Sequence, residues 1–348
     1  MRPPTIRDVA DRAGVSKSLV SLVLRGSDQV RAEKREAVLR AVRELGYRPN
    51  EAARSLGERR TVPDSRPRPG GGNPMVGVLL HDLRNPWYVD LLDGLNSLLH
   101  ASGLHMLLAD ARLHRRVGQD PAGPFLDLGA DGLVVVGTLP DPAALEAVAA
   151  RMPVVVAAAR EPVPAGVDLV ANDDERGARL VTEHLVGLGH RRIAHLAGYG
   201  AVADLRRRGF EATMRAAGAD RAALVEAGDM TEEGGYRATV RLLARADRPT
   251  AVFAVNDMTA VGVLSAAEEL GLRVPRDLSV VGYDNTGISR LRHVWLTTVD
   301  GAGHEVGRRA ARCLLDRLEQ PGGEGRLQLT PPVLEVRGTT ARPPAVTV

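Results

Sequence analysis

TIRDVADRAGVSKSLVSLVLRG, residues 5–26, decides the fold of the first part of this chain. Ile6, Val9, Ala10 and Ala13 recur at helical spacing, and Asp8 stands three residues after Thr5, as a capping box requires. The spacing predicts a short helix that starts at Thr5 and turns at Gly14. Ser16 is placed to cap a second helix with Leu19, Val20 and Val23 facing inward and Lys17, Ser18 and Ser21 facing out. A third helix is predicted over residues 32–45, with Ala37, Val38, Ala41 and Leu45 as the lid of a small core and Gly46 as its stop. The result is an all-α helix-turn-helix head.

Working outward, the chain has 348 residues, enough for this head and a larger body. Hydrophobic residues make up 44% and aromatics only 3%, so the core must be built from Ala, Val and Leu. Residues 1–62 hold 14 Lys and Arg against 8 Asp and Glu, a net of +6, while the remainder has 32 against 35, a net of −3. The basic end is the phosphate-facing end. Cys313 is the single cysteine, which excludes an intrachain disulfide and fits a reducing cytoplasm, with the thiol in a buried structural role. The start MRPPTIRDVA has no apolar signal-peptide core and no stretch reaches transmembrane length, so no membrane association is expected.

After Leu56 the sequence GERRTVPDSRPRPGGGNP, residues 57–74, is rich in proline, has three consecutive glycines and shows no apolar periodicity. It reads as a linker. From Met75 short apolar runs alternate with amphipathic helices: strands are predicted at residues 76–80, 104–108, 132–137 and 153–157, with a helix over 87–101. A second series places strands near 192–196, 251–255 and 278–282 and helices near 175–187, 231–244 and 258–270. Two doubly wound parallel-sheet subdomains of an α/β body follow. Pro121 and Pro124 predict irregularity in residues 111–131.

The head resembles the N-terminal domain of the LacI/GalR family of bacterial transcription regulators through IRDVA (6–10), AGVS (13–16), VS (20–21), YRPN (47–50) and ARSL (53–56). The body resembles the family's periplasmic-binding-protein-like effector core through NP (85–86), DGL (131–133), EHL (183–185), LGHRRIA (188–194), GF (209–210), FAVND (253–257), VVGYDN (280–285) and TTV (297–299). The resemblance implies a head over 1–60 with a hinge helix at about 50–58, a linker over 61–74, an effector-binding core over 75–340 and a tail over 341–348.

It further implies a repressor of carbohydrate-related genes that binds a palindromic operator as a homodimer, with a sugar or sugar derivative as effector. DNA contacts are expected from Thr5, Ser16, Lys17, Ser18, Ser21, Leu22, Arg25, Asn50, Arg54 and Leu56. Lys17 would reach guanine acceptors and Leu22 a thymine methyl, where the family often presents polar or basic groups. Asn50 would cap the hinge helix and Leu56 would wedge into the minor groove.

Effector contacts are expected after strand ends, from Asn85, Trp87 and Tyr88, from Asp173, and from Arg206, Asn256 and Asp284. An aromatic face at Trp87 or Tyr88 can stack on a ring, Arg206 offers a planar donor fork, and the amide and carboxylates bind hydroxyls. Asp257 is expected to cap the following helix. The DGAG run at 300–303 is expected as an open pocket wall.

No catalytic set is read from the sequence: the histidines lack zinc-ligand spacing, no nucleophile elbow or phosphate loop is present, and His184 and His190 read as structural. No cofactor or metal is expected. A solute-binding protein is the main alternative, an enzyme on an α/β scaffold a lesser one.

Overall fold

The computed structural model describes residues 4–24, 27, 30–45, 74–81, 83, 85–112, 121–137, 141–219 and 222–344. These fall in two compact units, one up to Asn73 and one from Pro74 onward.

In the first unit, α1 (Ile6–Ala13), α2 (Lys17–Leu24) and α3 (Ala32–Leu45) follow the predicted spacing. The Thr5 backbone N–H donates to the Asp8 carboxylate at 2.7 Å, and the Thr5 hydroxyl accepts from the Asp8 N–H at 3.4 Å, closing the capping box. Gly14, at φ +64°, ends α1 in the left-handed region with its N–H on the Ala10 and Asp11 carbonyls. The Ser16 hydroxyl accepts from the Leu19 N–H at 3.3 Å and starts α2. Val9, Ala10, Val20, Val23, Val30, Val38 and Ala41 are buried together, and Arg12 donates to Glu44 at 2.9 Å across α1 and α3. The expected Gly46 stop lies outside the described residues.

The second unit has two lobes. Its elements run β1 (Met75–Leu80), α4 (Trp87–Ala101), β2 (His105–Asp110), α5 (Gly123–Asp127), β3 (Gly132–Val136), α6 (Pro142–Ala149), β4 (Val154–Ala157) and β5 (Asp168–Asn172). They continue as α7 (Asp174–Gly187), β6 (Ile193–Ala197), α8 (Gly200–Ala216), β7 (Ala223–Ala227), α9 (Glu232–Leu243), β8 (Ala251–Ala254), α10 (Asp257–Glu269), β9 (Ser279–Val281) and a 3₁₀ turn at Gly287–Arg290. The chain ends with β10 (Thr298–Asp300), α11 (Gly303–Glu319), β11 (Leu327–Thr330) and β12 (Val333–Glu335).

The first lobe is a parallel sheet in the order β11-β5-β4-β3-β1-β2, and the second a parallel sheet in the order β7-β6-β8-β9. Both faces of each sheet are covered, which is why the strands read as continuous apolar runs. Val76, Val78 and Leu80 of β1 pack on one side with Leu91, Leu95 and Leu314, whereas Leu79 joins Phe125, Leu133 and Leu145 on the other. The chain passes between the lobes three times: from β5 into α7, from β10 into α11, and from β11 into β12. The antiparallel β10-β12 pair therefore belongs to the second lobe, although α11 and β11 return to the first. The irregularity expected at 111–131 is in part described: α5 is one short helix, and residues 113–120 lie outside the described residues.

Glycine lets the helices pack backbone to backbone. A Cβ on Gly94 of α4 would run into the His304 carbonyl, and one on Gly307 of α11 into the Leu91 carbonyl. Neither neighbour can swing away, since both are backbone atoms inside helices. Gly307→Ala is expected to destabilise the chain by roughly 2–3 kcal/mol through overpacking. Gly187→Ala, at the end of α7 with nothing near its Cβ, is expected to change stability by less than about 1 kcal/mol. Urea unfolding of both variants checks this, and equal stability would refute the close-packing account.

Candidate functional site

A cavity of about 540 Å³ opens between the two lobes, and its walls are made where strands end. After β1 come Asn85, Trp87 and Tyr88, after β4 Ala158 to Glu161, and at the end of β5 Asn172; from the second lobe come Tyr199 after β6, Asp229 and Met230 after β7, Asn256 after β8 and Asp284 after β9. Arg206 enters from α8.

Arg206 is buried and fully oriented. Its Nε donates to Asp174 at 2.9 Å, its Nη2 to Asp284 at 3.2 Å and its Nη1 to the Val255 carbonyl, while its guanidinium lies 3.5 Å from the Tyr283 ring centroid. A second guanidinium, Arg160 from the first lobe, donates Nε to Asp174 at 2.6 Å, Nη2 to Asn172 at 2.6 Å and Nη1 to the Ala159 carbonyl at 2.8 Å. The Asp174 carboxylate thus joins a guanidinium of each lobe, at the first residue of α7 and beside a crossover. Burial alone would raise its pKa, but Arg160 and Arg206 overcome this and hold it below the usual carboxylate range. The same carboxylates push the Arg206 pKa further upward against its own burial.

Asp284 moves the other way. Burial raises its pKa to about 7, with Arg206 opposing and the nearby carboxylates of Asp257 and Asp174 adding to the rise. Asp257 is raised to about 6 by burial, although its oxygens accept from the Thr286 N–H at 2.7 Å, the Thr286 hydroxyl at 2.9 Å and the Thr298 hydroxyl at 2.6 Å. It anchors the loop after β9 and is not part of the cavity wall. Ala158, Met230 and Asp284 all have left-handed φ (60°, 63° and 108°) and all line the cavity. Such backbone costs about 1–3 kcal/mol per residue and collects where a site is held against local preference.

Six of the expected effector residues therefore come together: Asn85, Trp87, Tyr88, Arg206, Asn256 and Asp284. Asp173 does not. Its carboxylate accepts from the Arg176 N–H at 3.0 Å and caps α7, while the neighbouring Asp174 turns inward. Asn256 lines the cavity but spends one acceptor on the Thr259 N–H at 2.8 Å and one donor on the Met230 carbonyl at 3.1 Å. Asn85 accepts from the Trp87 N–H at 3.0 Å and starts α4, and the Trp87 and Tyr88 rings meet edge to face at 5.7 Å. The DGAG run is a crossover and not a pocket wall: Asp300 accepts from the Ala302 N–H at 2.7 Å and from Asn285 at 3.0 Å. Arg160, Asn172, Asp174 and Tyr199 were not foreseen.

His184, His190 and Cys313 are structural. His190 bonds Thr250 at 2.8 Å and the Ala341 carbonyl at 2.9 Å, and His184 bonds Thr340 at 3.0 Å, which fastens the C-terminal segment. Cys313 is buried, with its thiol raised to about 11 mainly by that burial. Among the described residues no cluster of metal-ligating side chains occurs, and no helix is long and apolar enough to cross a membrane.

In the head, Lys17 and Ser18 are exposed at the start of α2 and Ser21 is half-buried. Thr5 and Ser16 serve as helix caps, and Leu22 is half-buried against the head core. Arg25, Asn50, Arg54 and Leu56 lie outside the described residues.

A helix-turn-helix head in one chain with a two-lobed, cleft-bearing body is the composition of a DNA-binding transcriptional regulator. Residues 5–50 match the model for bacterial regulatory proteins of the lacI family, and residues 182–340 that for a periplasmic binding protein-like domain. The chain is 36% identical over 329 residues to the HTH-type transcriptional regulator CelR of Thermobifida fusca, covering 91% of this chain and 92% of CelR. A solved CelR–cellobiose complex is 31% identical with a TM-score of 0.68, covering 97% of this chain and 99% of that one. The lac repressor dimer bound to operator and the anti-inducer ONPF is 30% identical with a TM-score of 0.77, covering 98% and 100%. The chain belongs to the LacI family of bacterial transcriptional regulators. It is a regulator and not an enzyme, as these relatives are.

Proposed function

We propose that the chain represses transcription from a palindromic operator as a cytoplasmic homodimer, and that a sugar or sugar derivative held between the lobes changes its operator affinity. Arg206 carries the reading: a buried donor fork fixed by Asp174 and Asp284 in a cleft whose walls include the aromatic rings of Trp87, Tyr88 and Tyr199. Guanidinium and carboxylate suit vicinal hydroxyls, and aromatic faces suit the C–H faces of a pyranose. The cellobiose held by CelR supports the ligand class, and the operator-bound dimer of the lac repressor supports the assembly. The single cysteine fits a reducing compartment.

The head spans residues 1–60, the linker 61–74 and the effector core 75–340. In the head, Lys17, Ser18, Ser21 and Leu22 read bases or phosphates, with Thr5, Ser16 and Arg25 beside them; Asn50, Arg54 and Leu56 act from the hinge. Ligand coupling equals the difference in ligand affinity between the operator-competent and operator-incompetent states.

A gel shift on DNA flanking the chain's own gene, with and without cellobiose and other sugars, tests the whole. Lys17→Ala is expected to weaken specific binding by about 1–3 kcal/mol. Leu56→Ala is expected to weaken specific binding more than nonspecific binding, and equal losses would contradict the wedge. Tight sugar binding with no DNA bound at all would instead favour a solute-binding protein.

A further inference from the structure

The two guanidiniums of the cleft are already engaged. Arg160 and Arg206 share the ionised Asp174, and Arg206 also donates to Asp284, so both forks are turned onto carboxyl groups inside the wall. Among the described residues that line the cavity there is no further Lys or Arg, whereas the mouth adds the half-buried carboxylates of Glu161, Asp229 and Glu232. Each of these oxygens is acceptor-only when ionised. Asp229 is held ionised by the hydroxyl and N–H of Thr231, and Arg237 reaches it at 3.7 Å. Glu161 accepts the Arg160 N–H at 3.1 Å.

This is the wrong lining for an anion. A phosphate monoester brings roughly −1.5 to −2 charges and seeks two-pronged donors. Here the forks of Arg160 and Arg206 that would chelate it are turned onto buried carboxylates. Bringing the anion in would require prising a guanidinium from Asp174 or setting like charges side by side, and either is unfavourable in a partly desolvated cleft.

The geometry points to charge selection: the cleft accepts an uncharged polyhydroxylated ligand and rejects its phosphorylated or carboxylated counterpart, with Asp174 and the mouth carboxylates as the specificity determinants. The inference rests on the sugar-effector reading of the same cleft. It sharpens that reading, because sugars reach a cytoplasmic regulator in both free and phosphorylated forms.

The test is calorimetric titration of the full chain with cellobiose, glucose and ribose, each beside its monophosphate. At least one free sugar is expected to bind, with its phosphate weaker by about a hundredfold or more. The double variant E161Q/E232Q, which alters only half-exposed side chains, is expected to narrow that gap by roughly tenfold. A phosphate that binds as tightly as its free sugar, or an unchanged gap in the variant, overturns charge selection and leaves the sugar reading standing. If no free or phosphorylated sugar in the set binds, the sugar reading falls and charge selection falls with it.

Discussion

Asp174→Ala is expected to lower the melting temperature of the chain by roughly 6–20 °C. The side chain is inaccessible to solvent and accepts from Arg160 at 2.6 Å, Arg206 at 2.9 Å and Asn172 at 3.1 Å. Removing it leaves two buried guanidiniums with Asp284 as the remaining carboxylate of the network. Breaking a buried pair on one side typically costs about 3–5 kcal/mol, and each kcal/mol moves the midpoint of a domain this size by about 2–4 °C. Because the folded pKa of Asp174 lies below the ordinary value, its contribution is fully present at neutral pH and is lost only as pH falls through the folded value. Calorimetry at pH 7 reads the effect directly. A fall of less than about 2 °C would show that the clasp is not an energetic centre of the body. The double variant Asp174→Leu with Arg206→Met should lose less than the two single losses combined, since it removes both a charge and its counter-charge.

Arg160 comes from the first lobe, Arg206 from the second, and Asp174 stands at the crossover between them. Any ligand that draws either guanidinium toward the cleft acts on a residue that bonds both lobes at a crossover. Asn172 extends the contact by donating to Tyr283 at 3.4 Å across the same boundary. The clasp thus has the position needed to link cleft occupancy with lobe arrangement.

Much of this architecture is legible in the sequence, because covered parallel strands produce unbroken apolar runs and the head helices carry their own caps. Val76 to Leu80 and Ala251 to Ala254 announce themselves; Thr5 and Asp8 announce α1. The site is legible from the residues where one follows such a strand closely, as Asn256 and Asp284 do, whereas Arg206, on a helix, is legible through the family resemblance. Asp173 and Asp174 are adjacent carboxylates, and no periodicity says which one turns inward. The α7 cap takes the first and the two arginines take the second. Arg160 sits in irregular backbone, and its partners lie 12 and 14 positions away. The return of α11 and β11 to the first lobe is equally hidden, since strand order along the chain does not specify which sheet a late strand joins.

Asp284 makes stability and ligand affinity depend on pH in opposite directions. Its folded pKa of about 7, against about 3.9 in an unfolded chain, means that the folded protein holds a proton that the unfolded chain has released. Between those values the folded state binds more protons, so the contribution of Asp284 to stability falls as pH rises and is fully lost above about 7. The loss is on the order of 4 kcal/mol for Asp284, and the rise of Asp257 to about 6 adds a loss of the same sign. Asn mimics the protonated acid and tolerates the positive φ of 108° at this position. Asp284→Asn is therefore expected to gain stability relative to the parent chain between pH 5 and pH 8, as urea unfolding at several pH values would show. A difference that stays flat across that range would mean that Asp284 is ionised throughout. A ligand hydroxyl donating to Asp284 favours the ionised form, so the same group should strengthen ligand binding as pH rises. Sugar binding near pH 7 should then release a proton, seen as a titration enthalpy that changes with the ionisation enthalpy of the buffer in the parent chain and not in Asp284→Asn.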